Sequence, residues 1–375
     1  MKVDFYRHHL GEREFASVKE TLQSAFLTAG PRTAEFEEKF ARYLGVHHAL
    51  GLTSCTAGLF LALKALGVGE GDEVIVPAMT FMASSNVVLH CGAKPVFVDV
   101  EPDTGLIDVK LAERAITERT RVIMPVHLYG HLADMRALRA LADRHGLRLV
   151  EDAAHAVESR RDGVNTGQLG ECAAFSFYAT KNLTSGEGGA VTAATPELHE
   201  KLRLLRQHGM SKSASERYQG KYVHYEMLDL GYKYNMFDIQ AALLLPQLDS
   251  IESLLARREV ICQQYEAGFR QAGIEFPIVR PGARSARHLF TVWAPHGKRD
   301  RMLKGLQERE IGVAVNYRPV HLLEYYRKNF AFKPGDFSVS EEIGERTITL
   351  PLYPKLTEDE IGYVIQSVID VYRSL

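Results

Sequence analysis

The chain has 375 residues, 46% of them hydrophobic and 25% charged, with a formal net charge of −2. These are the proportions of a soluble globular protein long enough for one large domain and a smaller one. Charges of both signs are interspersed, without the basic stripe that marks a nucleic-acid binder, and no apolar run approaches the roughly 20 residues that cross a bilayer. Along the chain, residues 1–45 read as helical with an interruption at Thr28-Ala29-Gly30-Pro31. From there short apolar strands alternate with amphipathic helices: strand His48–Leu52, helix Ala57–Ala65, strand Glu73–Pro77, helix Ala83–Cys91 and strand Pro95–Val100. The rhythm continues with strand Arg121–Pro125, helix Met135–His145 (leucines and alanines at three- and four-residue spacing) and strand Leu147–Glu151. Such alternation predicts an α/β fold, a mainly parallel sheet covered by helices on both faces, with its ligand site at the carboxyl ends of the strands.

Residues 171–193 break the rhythm, with strands Cys172–Tyr178 and Gly188–Ala193 joined by a polar, glycine-bearing loop. A helix Pro196–His208 and a polar stretch Gly209–Tyr225, read as surface loop, come next. A long helix from Asp238 to about Arg270 bridges into a smaller C-terminal α/β domain closed by a helix Glu358–Tyr372. The expected division is residues 1–245 for the large domain and 246–375 for the small one. The N-terminal Met1-Lys2-Val3-Asp4-Phe5-Tyr6-Arg7 lacks the apolar core of a signal peptide. Cys55, Cys91, Cys172 and Cys262 form no CxxC pair. They read as reduced thiols of a cytoplasmic chain, neither a disulfide frame nor a zinc site.

Three segments at expected strand ends carry chemistry. Ser54-Cys55-Thr56-Ala57-Gly58 lies between a strand and a helix, where small residues permit a tight turn and the free amides of a helix N-terminus hold a phosphate. A helix cap by Ser54 or Thr56 is the alternative there. Val150-Glu151-Asp152-Ala153-Ala154-His155 ends a strand in two acids followed by small residues. A carboxylate at Asp152 is suited to keeping a pyridinium nitrogen protonated, and the alanines leave room for a flat ring; capping of a following helix is the competing role. Ser176-Phe177-Tyr178-Ala179-Thr180-Lys181-Asn182 leads into Gly186-Glu187-Gly188-Gly189. A partly buried lysine in such a loop has a lowered pKa and an amine available for a Schiff base, whereas an isolated lysine is ordinarily a solvated charge.

Taken together these segments resemble the DegT/DnrJ/StrS family of nucleotide-sugar aminotransferases, a fold-type-I group dependent on pyridoxal 5′-phosphate (PLP), over nearly the whole chain. Thr28-Ala29-Gly30-Pro31 is similar to the family's entry segment, and Pro77-Ala78-Met79-Thr80-Phe81 to the element that stacks an aromatic on the cofactor. Gly231-Tyr232-Lys233-Tyr234-Asn235-Met236 matches its Gly-Tyr-x-Tyr-Asn, and Val315–His321 resembles a substrate-facing segment. The resemblance implies Lys181 as Schiff-base lysine and proton shuttle, Asp152 at the pyridine nitrogen, His155 near the ring substituents and Phe81 on the ring face. It assigns the phosphate to Ser176 and the amides of Cys55 and Thr56, and sends Asn235 to the phosphate of a neighbouring subunit's cofactor, hence a homodimer with shared sites. Thr28, Tyr317 and His321 would face the substrate. The implied reaction moves an amino group from glutamate to a nucleotide-linked keto-sugar, with a lean toward UDP-4-keto-sugars, for amino sugars of a cell-surface polysaccharide or lipopolysaccharide. Cys55 stands where many relatives have Gly, and Ala29 where Thr is commoner.

Relatives that act as sugar dehydratases replace the lysine with histidine, and PLP-binding sensors of this fold add a DNA-binding module; the chain keeps Lys181 and carries no basic helix-turn-helix segment. A nicotinamide dehydrogenase would require a well-placed Gly-x-Gly-x-x-Gly, and Gly67-Val68-Gly69-Glu70-Gly71 precedes a strand instead. His127 and His131 flank a glycine in a loop, so a metal is not expected. Lys212, Arg217 and the Arg257-Arg258 pair read as solvated charges, and Trp293 and Tyr325-Tyr326 as packing of the small domain.

Overall fold

The computed structural model describes residues 1–212 and 224–375. Within the first 210 residues come α1 (Glu12–Leu22), α2 (Pro31–Leu44), β1 (His48–Leu52), α3 (Cys55–Ala65), β2 (Glu73–Pro77), α4 (Ala83–His90) and β3 (Lys94–Val98). They are followed by α5 (Val109–Arg114), β4 (Thr120–Ile123), α6 (Met135–His145), β5 (Arg148–Asp152), β6 (Arg160–Arg161), β7 (Val164–Asn165), β8 (Cys172–Ser176), β9 (Gly189–Ala193) and α7 (Pro196–Leu205). The long strands are apolar and buried on both faces, as a sheet sandwiched between helices requires. They form one seven-stranded sheet in the order β1-β9-β8-β5-β4-β2-β3. Every neighbouring pair is parallel except the two made by β9, which runs antiparallel to both β1 and β8. The expected mainly parallel α/β sheet is therefore present.

Boundaries moved where a local hydrogen bond outweighed the apolar pattern. The Ser54 hydroxyl accepts from the Ala57 N–H, so α3 begins at Cys55 and not at Ala57. The strand expected at Cys172–Tyr178 stops at Ser176, because beyond it the chain folds over into the lysine loop, with Lys181 N–H donating to the Tyr178 carbonyl at 2.9 Å. Residues 1–11 are not helical: Val3 forms a parallel bridge with Ile311 and is fully buried. The short α5, capped by Asp108, has no counterpart in the apolar pattern. Most of the polar stretch Gly209–Tyr225, including Arg217, lies outside the described residues.

The remainder comprises α8 (Asp238–Gln271), β10 (Ala283–Arg284), β11 (Phe290–Trp293), α9 (Arg299–Glu308), α10 (Glu324–Phe330), α11 (Ser338–Arg346), β12 (Thr347–Leu350) and α12 (Glu358–Arg373). Helix α8 is 34 residues long and serves two cores. Its first half places Ala241, Leu244 and Leu248 against Phe36, Phe40, Phe175 and Phe177. Its second half places Ile261, Tyr265 and Phe269 against Val3, Phe290, Val292, Ile348 and Val364. At its start, buried Asp238 accepts from the backbone N–H groups of Gly30, Arg32 and Thr33 and from the Thr33 hydroxyl, at 2.7–3.2 Å. The backbone groups are the orphan donors at the N-terminus of α2, so the first residue of α8 caps the helix after the Gly30-Pro31 break.

Two packing expectations are corrected. Tyr326 is buried against Phe97 of the large sheet, its hydroxyl 2.7 Å from Ser85 Oγ and 2.8 Å from Asn86 Oδ1 in α4, while its neighbour Tyr325 is 60% exposed. Trp293 packs with Met79, Val100, Leu128 and Tyr129. Both aromatics thus tie the C-terminal elements onto the large sheet, which periodicity within one segment could not reveal.

Candidate active site

Successive side chains of a strand point to opposite faces, and the two acids ending β5 part accordingly. Glu151 turns into the protein, where its carboxylate accepts from the N–H of Gly167 and Gly170 and meets His127 Nε2 at 2.8 Å. It has no access to a ligand. Asp152, 6% exposed, turns the other way; its Oδ2 accepts from the Ser84 hydroxyl at 2.6 Å, and the Cys55 thiol lies 3.9 Å from Oδ1. Ser84 sits in the first turn of α4, so the strand–helix join after β2 presents a donor to the end of β5.

Lys181 reaches this pocket from the loop between β8 and β9. Burial pulls its ammonium down from its ordinary value to about 8, against the opposing pull of Cys55 and Asp152. Nζ lies 3.4 Å from His288 Nε2. His155 is adjacent, its ring 4.5 Å from that of His288. The Tyr129 N–H donates to His155 Nδ1 at 3.2 Å and the Tyr317 hydroxyl lies 3.2 Å from Nε2. Burial and the Lys181 charge hold His155 well below the usual imidazole range, so it is neutral. With Nδ1 accepting, the hydrogen sits on Nε2. Tyr129 adopts the left-handed region at φ 61°, a cost borne by a non-glycine residue only where contacts over-determine it. Here its N–H is held by His155 and its hydroxyl by the Asn316 carbonyl at 2.6 Å.

Phe81, 49% exposed, stands 5.6 Å from the Tyr317 ring, and the two border the mouth of the pocket. At the other end the N-terminus of α3 lies directly on β9. A β-carbon at Gly189 would meet the Ser54 carbonyl carbon at 2.3 Å and the Cys55 nitrogen at 2.5 Å, so only glycine permits the approach. Of the two capping candidates Ser54 is the cap; the Thr56 side chain is exposed beside it. Ser176 ends β8 opposite Gly189. The donor set suits PLP: an amine of lowered pKa, a buried carboxylate that acts on it, a neutral imidazole nearby, and a helix N-terminus with free amides for a dianionic phosphate.

Lys181, Asp152, Cys55, His155, Phe81 and Tyr317 are thus brought together, with Thr56 in the first turn of α3 and Ser176 at the end of β8. Three anticipated residues stand apart from this group. His321 is fully buried, its ring on Phe337 and its Nε2 2.9 Å from Glu341. Asn235 lies in an antiparallel bridge with Leu52, its side chain donating to the Met236 carbonyl and accepting from Lys233 at 2.6 Å. Thr28 is exposed in the turn before α2. Arg258 is a correction: it is 2% exposed, not solvated, and pairs with Glu158 at 2.6 Å, while Arg257, one residue earlier on the helix, faces Glu358 at the surface. Burial also keeps His131 neutral, its pKa lowered to about 3, and among the described residues no group of three or more His, Cys, Asp or Glu is placed to hold a metal.

Sequence reasoning passed over Ser84, Glu158 and His288. Ser84 and Glu158 are ordinary polar residues beside the motifs, and His288 is 107 positions beyond Lys181 in a segment without a motif. A histidine immediately before an apolar strand was the one signal present.

Comparison with known proteins agrees with this arrangement. The model of the DegT/DnrJ/EryC1/StrS aminotransferase family matches residues 8–369. The chain is 44% identical over 372 residues to the spore coat polysaccharide biosynthesis protein SpsC of Bacillus subtilis, covering 97% of this chain and 95% of that one. Among solved structures it is similar to the putative sugar aminotransferase Spr1654 from Streptococcus pneumoniae in its PMP form, with a TM-score of 0.95, 35% identity and 100% of both chains covered. Helicobacter pylori PseC, an aminotransferase involved in the biosynthesis of pseudoaminic acid, superposes with a TM-score of 0.92 at 30% identity, again over 100% of both chains. The Streptococcus protein is also known in its PLP form. With its fold, its lysine loop and its near-complete match to the family model, the chain belongs to the DegT/DnrJ/EryC1/StrS aminotransferase family and is a PLP-dependent aminotransferase.

Proposed function

We propose that the chain transfers the amino group of glutamate to the keto carbon of a nucleotide-linked sugar, first among them a UDP-4-keto-sugar, in the cytoplasmic supply of amino sugars for a cell-surface polysaccharide. The observation that carries the reading is the Lys181 amine, buried opposite Asp152 with its pKa lowered to about 8. The relatives support the sugar: one serves spore-coat polysaccharide biosynthesis and another pseudoaminic acid biosynthesis.

When bound, PLP supplies the electron sink for a carbanion beside the transferred nitrogen. Asp152, fixed by Ser84, would hold the proton on the ring nitrogen, and Phe81, Tyr317 and His155 would orient the flat ring. Ser176 and the amides of Cys55 and Thr56 hold the phosphate. Lys181 Nζ takes the proton from the substrate carbon and returns it across the pocket, acid–base work that an amine with a pKa near ambient pH performs best. Thr28 and Tyr317 belong to the substrate side in this reading, whereas buried His321 serves the packing around Phe337 and Glu341; residues 1–245 and 246–375 are its large and small domains.

A homodimer is part of the proposal, with Asn235 completing the neighbour's phosphate site. The exposure of Met227 (66%), Leu228 (62%) and Leu230 (75%), just before Asn235, supports it, since contiguous exposed apolar residues mark interfaces. Lys181→Ala tests the core of the reading: cofactor absorbance of the bound form and amino transfer are both lost, and full activity in that variant refutes it. Purified protein offered 4-keto and 3-keto nucleotide sugars with glutamate identifies the acceptor, and turnover of none of them removes the sugar assignment.

A further inference from the structure

Behind Lys181 runs a file of buried polar groups. His288 Nδ1 lies 3.2 Å from the Asn182 side-chain oxygen. Asn182 Nδ2 donates to the Ala286 carbonyl at 2.9 Å and to the Glu158 carboxylate at 3.1 Å, and Arg258 holds Glu158 at 2.6 Å. An amide nitrogen has two hydrogens, and both are taken here by oxygens that only accept. The amide is therefore locked with Oδ1 toward His288. An accepting oxygen requires the hydrogen on Nδ1, and a neutral imidazole then presents a bare lone pair at Nε2, 3.4 Å from Lys181 Nζ. Burial, together with the charges of Lys181 and Arg258 and the neighbouring His155, keeps His288 neutral. The two adjacent imidazoles are thus held in opposite tautomers, His155 carrying its hydrogen on Nε2 and His288 on Nδ1.

The geometry points to His288 as a positioning residue for Lys181: its Nε2 accepts a hydrogen bond from the free amine and aims the nitrogen into the pocket, and the Arg258–Glu158–Asn182 file locks the tautomer that makes this possible. No proton changes owner. One N–H of the amine is engaged from behind, and the Nζ lone pair is left facing an incoming carbonyl. In the opposite tautomer the Nε2–H would donate to the Nζ lone pair, and the pair needed for attack would be engaged away from the pocket. The other titratable groups that interact with this amine are Asp152, Cys55 and His155. The inference rests on Lys181 being the reacting amine.

Nitrogen-15 NMR of the cofactor-free, histidine-labelled full chain reads the tautomer. One imidazole, assigned by its loss in His288→Gln, is expected to be a neutral Nδ1–H form; an Nε2–H form or an imidazolium there overturns the proposal. The rate at which cofactor absorbance appears on mixing with pyridoxal phosphate reads the aim. It is taken at about pH 9.5, above the Lys181 midpoint of about 8, where the amine is neutral. His288→Leu is expected to slow it about five- to tenfold, the worth of one hydrogen bond, and His288→Gln, whose side-chain oxygen accepts, to recover most of the loss. An unchanged rate in His288→Leu refutes the positioning role. Lys181→Ala forms no such absorbance at all, and if it did, the assignment of the reacting amine would fail instead.

Discussion

Removing Arg258 tests the file that backs the active-site lysine. Glu158 and Arg258 have side chains 0% and 3% exposed and approach to 2.6 Å. Truncating one partner of a buried pair leaves the other charge uncompensated at a cost of about 3–5 kcal/mol. In Arg258→Met the Glu158 carboxylate keeps the Asn182 N–H as a donor, which places the expected loss near 3 kcal/mol. The loss depends on pH in a calculable direction. Burial already raises the Glu158 pKa above its ordinary value, and Arg258 is the largest influence opposing that rise. In the variant the folded-state value climbs further, so the native state binds its proton more tightly than the unfolded state. Stability then falls as pH rises from the unfolded value of about 4.5 through the folded one. Urea unfolding of the cofactor-free chain at about pH 8 and about pH 5.5 is expected to show the full deficit at the higher pH and a smaller one at the lower. The double variant Arg258→Met/Glu158→Gln, which removes the orphaned charge, is expected to recover more than half of the deficit at pH 8. A single-variant loss below about 1 kcal/mol, or a double variant worse than the sum of the singles, would refute the buried-pair argument.

Three other outcomes follow from the same geometry. Because the folded pKa of Lys181 is lowered to about 8 while the unfolded chain keeps the ordinary value, labelling of this amine by an acylating reagent in the cofactor-free protein is expected to rise with a midpoint near pH 8; a midpoint at the ordinary lysine value contradicts its burial. The same shift makes stability rise with pH between those two values, as the unfolded state there binds the extra proton. Gly189→Ala sets a methyl group 2.3–2.6 Å from the backbone of Ser54 and Cys55, and the variant is expected to lose about 2–3 kcal/mol and to bind PLP at least tenfold more weakly by equilibrium absorbance titration. Asp238→Ala strips the four donors at Gly30, Arg32 and Thr33 of their acceptor and is expected to cost about 2–4 kcal/mol in denaturant unfolding, with the largest gain in amide exchange at residues 28–34.

Local pattern determined much of this protein. Apolar runs bounded by small and polar residues specified most of the strands and helices from His48 to Ala193, because periodicity and flanking turn residues are local properties of the chain. Motif chemistry led to Lys181, Asp152 and Cys55, since a strand end followed by small residues forecasts which groups reach the ligand crevice, and the family resemblance added His155 and Phe81. Tertiary structure alone decided the rest. That β9 runs against its neighbours, that Val3 joins the C-terminal core, and that Tyr326 packs on Phe97 all depend on contacts between segments far apart in sequence. Arg258 carries no local mark distinguishing it from solvated Arg257; its role follows from the face of α8 that meets Glu158. His288 is the clearest instance, because only the fold brings it, through Asn182 and Glu158, to the back of the lysine loop, and a tautomer is a property of the whole hydrogen-bonded file, not of any one residue in it.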